Sequence, residues 1–468
     1  MMKFLVALVV LVAFVAASNK IAPEVERELS LKGNFADIFV EMGEKVNFDL
    51  IQKDGKKVED LEYETKGHFV LDTLMSFSLV SQAKVVQFLK QNNLKFQAYY
   101  VDNVIFVEQV PKKLVEQIAQ FGEVSYVSSN PKVEFEFETP SDIKVNTTVN
   151  GVEWNVEHVK APKAWAKGFK GKGIVIGNSD TGIKWDVPAL KKSYRGAKEA
   201  VNGVVKHDYN WYDPSRGPSM VPVDTHGHGT HCMGTKVGED GNNKIGMAPK
   251  ATWIGCRSLG PGASRNTVLG CLEFFLAPFD LNRKNPNPSK RPHITSHSYL
   301  CGNCALDTAV KNLVNAGIAV VVANGNSGPR CNSVTHPADI KESFAVGALA
   351  FKSDAIASFS SRGTNRAGLV KPDISAPGSQ VRSCTPRGYQ SMSGTSMAAP
   401  AVAGVYALLW EAVPSLKGKP EKSQKILLST ALQQEANQCG PSKAPNNVFG
   451  MGTINIEKAI AAAKKIYE

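Results

Sequence analysis

The chain has 468 residues, 43% apolar and 21% charged, with a formal net charge of +11. That length suits two or three domains, and the apolar share supports a buried core. Its 39 Gly and 25 Pro, spread throughout, exclude a coiled coil, and the composition excludes a wholly disordered chain. Lys3 is followed by the uncharged apolar run Phe4–Ala17. A bilayer needs about 20 such residues, so this stretch is too short to span one. With small residues Val15 and Ala17 at its end, residues 1–17 read as a cleaved secretory signal. No later segment reads as a membrane span, and the remainder is expected to be soluble.

Residues 18–150 carry 15 Lys and Arg against 21 Asp and Glu, and residues 151–468 carry 38 against 22. Two segments of opposite sign suit parts that bind each other, although both signs also suit plain solvated surface. The basic balance lacks an aromatic-interleaved stripe or zinc-finger spacing, so nucleic acid is not an expected partner.

The acidic segment 18–138 reads as a small α+β domain. Ala83, Val86 and Leu89 place a helix over Ser81–Gln91. Val101–Val107 reads as a strand, and Pro111 opens a second helix through Gln120. Val124–Val127 and Val133–Phe137 read as further strands. Residues 139–150 are polar, hold Pro140, and read as an exposed linker. Asn146-Thr147-Thr148 is an N-glycosylation pattern within it.

From Gly151 onward, short apolar runs alternate with helical stretches. Gly173–Gly177, Thr252–Cys256, His293–Tyr299, Ile318–Ala323 and Phe344–Ala348 read as buried strands, with a helix at Leu306–Asn315 between them. Alternation of this kind predicts an α/β fold with a parallel sheet covered on both faces. Sites in such sheets form beyond the carboxyl ends of the strands. The eight cysteines begin at Cys232. Some are expected to pair in a secretory lumen, with connectivity open. Cys301 and Cys304 form a lone C-x-x-C, read as structural, each with another partner.

Three motifs carry chemistry. Asp180-Thr181-Gly182 follows the first apolar run. Asp224-Thr225-His226-Gly227-His228-Gly229-Thr230-His231 holds three histidines within six residues. Gly394-Thr395-Ser396-Met397-Ala398-Ala399-Pro400 leads into an apolar helix through Trp410. Singly they read as a turn, a metal-type cluster and a helix start. Together they supply what nucleophilic catalysis needs. A serine hydroxyl needs a base, and the base needs a carboxylate to fix its tautomer and stabilise the imidazolium. The Ser motif is not G-x-S-x-G, which disfavours an α/β-hydrolase.

The chain order Asp, His, Ser and the long His and Ser motifs resemble the subtilisin-like serine proteases (subtilases) over nearly all of Gly151–Glu468. The resemblance implies a serine endopeptidase in which Asp180 orients His228, His228 is the general base and Ser396 the nucleophile. It implies Asn326 as oxyanion donor, together with the backbone N–H of Ser396. His226 and His231 are then packing or hydrogen-bonding neighbours. Ser298, Tyr299 and Leu300 would form one wall of the primary substrate pocket, and Ala323, Asn324 and Gly325 the other. These walls hold no Asp or Glu, so no strict demand for a basic residue is expected, and the likeness is not to kexin-type processing proteases. Lys371–Gly378 and Gly246–Pro249 are further family landmarks. Departures stand at Ser179, Met233, Leu300 and Ala401, and at Lys184–Pro188, which lacks a frequent His. Cys232 resembles the buried thiol of proteinase K-like members.

No cofactor is required by this chemistry. Calcium is common in the family, and the Val237–Ile245 loop offers Glu239, Asp240, Asn242 and Asn243 without clearly matching a family site. The acidic segment resembles the ferredoxin-like propeptide of subtilases. The resemblance implies a zymogen: a signal over 1–17, an inhibitory leader over 18–138, a processing region over 139–150 cut by Ser396, and a catalytic domain over 151–468. A secreted or endolysosomal monomer acting on peptides or proteins is expected. The competing reading is an inactive binding protein on the same scaffold.

Overall fold

The computed structural model describes residues 20–133, 151–364 and 368–468. The signal stretch, residues 134–137 of the last predicted leader strand, the 139–150 linker and Asn146 lie outside the described residues. The chain forms two compact units, one of residues up to Lys57 plus Phe69–Pro131, the other of Val58–His68 plus Lys132–Glu468. Among the described residues, no single helix is long and apolar enough to cross a membrane.

The first unit is α+β. Strands β1 (Phe35–Met42), β2 (Phe96–Tyr99), β3 (Val104–Pro111) and β4 (Val124–Ser129) form one antiparallel sheet in the order β2-β3-β1-β4. That order, with helices between β1 and β2 and between β3 and β4, is ferredoxin-like. Val25, Leu29, Ile38, Val40, Val85, Leu89, Val107, Val115 and Ile118 fill its core. The helix opened by Pro111 runs over Lys112–Ala119. The helix expected over Ser81–Gln91 begins at Ala83, because Ser81 closes a preceding helix, Tyr63–Ser81. The strand expected at Val101 begins at Val104. Asn103 takes φ 49°, a left-handed turn that Asn tolerates and a strand does not.

The second unit is built on seven parallel strands: β5 (Val175–Ser179), β6 (Trp211–Tyr212), β7 (Thr252–Cys256), β8 (Ile294–His297), β9 (Ala319–Ala323), β10 (Phe344–Leu349) and β11 (Ile374–Pro377). Their order is β11-β10-β9-β8-β5-β7-β6. Every residue of β8, β9, β10 and β11 is buried, as expected of a sheet covered on both faces. Helices α1 (His228–Val237) and α2 (Thr395–Ala412) cover one face. Helices α3 (Arg265–Leu276) and α4 (Asp307–Asn315) cover the other. Alternation along β5 shows the two sides: Gly177 faces Phe275 of α3, and Asn178 faces α1. The α2 helix is apolar all round and packs Val402, Val405, Leu408 and Leu409 into the main core.

Cys256 pairs with Cys271, Cys331 with Cys439, and Cys301 with Cys304; Cys232 and Cys384 are free and buried. The C-x-x-C therefore closes on itself and takes no other partners. Its Cα atoms lie 5.3 Å apart, inside the range a disulfide spans.

Candidate active site

Parallel strands bring their carboxyl ends to one edge, and the polar residues that follow β5, β8 and β9 meet there. Asp180 directly follows β5 and is fully buried. Its backbone N–H continues the pairing by donating to the Cys256 carbonyl. Its Oδ1 accepts the Thr181 N–H at 2.7 Å and lies 2.7 Å from His228 Nδ1.

His228 is the first residue of α1. Gly227 precedes it at φ 106°. Asp224, to which the sequence reading gave no role, organises this turn. Its Oδ1 accepts the N–H groups of His226 and Gly227, and its Oδ2 accepts the N–H and hydroxyl of Thr230. Thr181 ties the two motifs together, donating its hydroxyl to Asp224 and accepting the Gly229 N–H. An Asp just ahead of a helix start is a capping signal that could have found this role. Gly229 has no room for a side chain, because a Cβ there would run into the Gly182 carbonyl oxygen.

Ser396 is the second residue of α2, whose cap Gly394 takes φ 151°. The Ser396 carbonyl accepts the Ser298 hydroxyl at 3.2 Å and the Cys232 thiol at 3.3 Å. Cys232 lies one turn beyond His228, with Sγ 3.8 Å from Nδ1 and 4.0 Å from Nε2. The Asp, His and Ser motifs, spread over more than 200 residues of chain, are therefore assembled in one place.

Asn326 follows β9 through Asn324 and Gly325. Its Oδ1 accepts both the N–H and the hydroxyl of Thr395 at 2.9 Å. Its Nδ2 would be 3.4 Å from a Cβ at Gly394, so the amide faces the Gly394–Ser396 turn. Of the predicted pocket residues, Ser298 reaches Ser396, and Gly325 N–H donates to the Thr395 hydroxyl. Asn324 is fully buried and donates to the Ser361 carbonyl. Ala323 is buried at the end of β9, and Leu300 is half-buried. Tyr299 is buried with its hydroxyl 2.9 Å from His297 Nδ1, so its polar end is anchored in the interior.

Burial disfavours a charged imidazole at His228, but the Asp180 carboxylate outweighs it and holds the ring well above its ordinary value. Burial likewise opposes ionisation of Asp180, yet the contact with His228 and the Thr181 N–H hold it below the ordinary carboxylate range. His231 is buried and pulled down to about 3, and its Nε2 faces the carbonyls of Val381 and Gln390. It is a neutral hydrogen-bonding neighbour. Met233, Ala401 and Ser179 are fully buried, the last donating its hydroxyl to Ser258. In the Val237–Ile245 loop, Glu239 is paired with Lys244 and Lys250, Asp240 accepts the Tyr389 hydroxyl, and Asn243 Oδ1 accepts from Arg382.

A family model described as "Subtilase family" matches residues 171–452, more than half of the chain. The chain belongs to the subtilases. This subtilase is 37% identical to Bacillopeptidase F of Bacillus subtilis (strain 168) over 426 residues, 86% of this chain and 29% of that protein. It is 29% identical to an alkaline protease of Alkalihalobacillus alcalophilus, over 84% of this chain and 98% of the relative. It is 32% identical to Subtilisin Savinase of Lederbergia lenta, over 66% of this chain and 98% of that one. The chain thus spans under a third of the first relative and nearly all of the other two. As a subtilase it is a serine protease, in agreement with the sequence reading of fold and enzyme class.

Proposed function

We propose that this subtilase is a secretory-pathway serine endopeptidase, made as a zymogen, with Asp180, His228 and Ser396 as its triad. The carrying observation is the 2.7 Å contact of Asp180 Oδ1 with His228 Nδ1, beside a Cys232 thiol that touches both His228 and Ser396. With Nδ1 bonded to the carboxylate, Nε2 is the basic nitrogen. It takes the Ser396 proton as Oγ attacks the substrate carbonyl, then gives that proton to the leaving amine. A water repeats the sequence on the acyl-enzyme and regenerates the hydroxyl. The Asn326 amide and the Ser396 N–H, at the positive end of α2, stabilise the oxyanion.

Substrate lies extended along Ser298–Leu300 and Ala323–Gly325 and pairs as a strand. The acidic leader inhibits the enzyme until the chain is cut between Glu138 and Gly151. Three disulfides support a secreted or endolysosomal destination. Expression of Ser396→Ala in a protease-deficient host tests this. The variant precursor is expected to stay uncut while the parent processes itself and takes a fluorophosphonate label at Ser396. Processing of the variant would exclude self-cleavage, and an unlabelled, processed parent would favour a binding protein.

A further inference from the structure

Helix α1 carries, besides His231 and Cys232, a further buried titratable group that the reaction above does not use. Lys236 lies eight residues beyond His228 and is fully buried. Its ammonium donates to Asn178 Oδ1 at 2.6 Å, and no carboxylate among the described residues forms an ion pair with it. Asn178 is also fully buried and donates its amide to the Gly229 carbonyl, beside His228. It stands on β5 two residues before Asp180, and strand alternation puts both on the face covered by α1. The Asp180 carboxylate is itself only partly satisfied, since Oδ2 has no hydrogen-bond partner among the described residues. An interface of helix and sheet packs well with apolar residues, and burying an ammonium there is costly. The cost is visible, because burial draws Lys236 down to about 8.

We infer that Lys236 is a positioning residue for the Asp180–His228 pair: a buried cation, held by Asn178 two residues before Asp180 on the same face of β5, that sets the acidic edge of the enzyme's pH range. The inference rests on His228 acting as the base. A positive charge held on Asn178, close to Asp180 and to the start of α1, competes for the carboxylate's field and opposes a second positive charge on the imidazole. It therefore disfavours imidazolium and keeps Nε2 able to accept a proton at lower pH. Near and above pH 8 the lysine loses its charge and the effect fades.

The other groups around the pair do not replace it. On α1, His231 is neutral and Cys232 donates to Ser396. His226 and Asp224 flank the start of α1. From the end of β8 and the residues after it come His297, pulled down to about 3, and Tyr299, with its hydroxyl pushed up beyond the usual range. From the hairpin Val381–Met392, Cys384 is pushed up to about 12 and Arg382 is paired with Glu153. The α2 helix turns Gly404 toward the Lys236 carbonyl, while its Glu411 accepts from the Lys170 and Gly171 backbone. Lys191, on the short helix beside α1, is exposed.

Two variants test this. Lys236→Met removes the charge at similar volume. Asn178→Asp leaves the lysine in place and neutralises it with a near-isosteric carboxylate. The processed enzyme is assayed for kcat/KM with a neutral peptide, and for the rate of fluorophosphonate labelling, across pH. The midpoint of the acidic limb is expected to rise by about one pH unit in both variants and both assays. Folded variants whose midpoint stays at the parent value overturn the inference. Failure of both variants to fold also overturns it, assigning the lysine to structure alone. A parent that does not label at Ser396 would instead remove the catalytic reading beneath it.

Discussion

Thr395 delivers its backbone N–H and its hydroxyl to the same oxygen, Oδ1 of Asn326, each at 2.9 Å. With that oxygen doubly engaged, the amide cannot flip without losing both bonds. The NH2 end is thereby directed at the turn that carries Ser396. Replacing Asn326 with Ala is expected to lower kcat by about 10²–10³, the loss known for the equivalent donor in subtilisin, with KM little changed. Steady-state kinetics on a peptide ester check this. A loss confined to KM would remove Asn326 from the transition state.

Asp180→Asn tests the tautomer. An amide at this position keeps the size of the side chain but lacks the charge that favours imidazolium. It can also donate to Nδ1, which leaves Nε2 carrying the proton. The expected fall in kcat is about 10⁴ at neutral pH. The parent has its own pH dependence with a defined sign. His228 must be neutral to act, and Asp180 holds its value well above the ordinary one, so activity falls as pH drops through that raised value. A pH series of kcat/KM for parent and variant checks both statements.

Stability should also fall in acid, for a different reason. His231, His293 and His297 are buried, and burial pulls each down to about 3. His293 accepts the Val175 N–H through Nδ1, a bond open only to the neutral ring. In the unfolded chain all three take protons below about 6.5. The unfolded state therefore binds more protons between about 6.5 and 3, and stability declines as pH falls through that window. Three protons correspond to a slope of at most about 4 kcal/mol per pH unit. Urea midpoints at successive pH values measure it. A midpoint flat from pH 6.5 to 4.5 would contradict the neutral assignment.

Gly229 offers a test of assembly. A Cβ there would meet the Gly182 carbonyl oxygen and, at 3.0 Å, the Cβ of Asp180. Gly229→Ala should push the start of α1 away from the Asp180 loop, lowering activity at least about 10²-fold. It should also destabilise the unit by about 1–3 kcal/mol. Thermal unfolding and kinetics together read out both effects.

The alternating pattern made five of the seven parallel strands legible, together with the helices that follow Leu306 and Gly394. The two strands it missed are short. Trp211–Tyr212 has only two residues, and Ile374–Pro377 ends in a proline that a pattern search reads as a break. The helix Tyr63–Ser81 escaped because its apolar residues ring it without marking one face; Leu79 and Val80 are each 77% exposed. At the site, Asp180, His228, Ser396 and Asn326 were legible through their motifs. The inward direction of Tyr299 and the Lys236–Asn178 contact were not. Each depends on which face a residue takes once distant strands are in register, and local sequence holds no record of that.

The Cys331–Cys439 bond joins residues 108 positions apart and encloses β10, β11 and α2, hence Ser396, in one covalent ring. Asp180 and His228 lie outside it. A ring of that size restricts the unfolded chain by about 4.7 kcal/mol on the chain-entropy model. Reduction of that bond would thus lower the stability of the whole unit by about that amount, so that the acid, the imidazole and the hydroxyl are lost together.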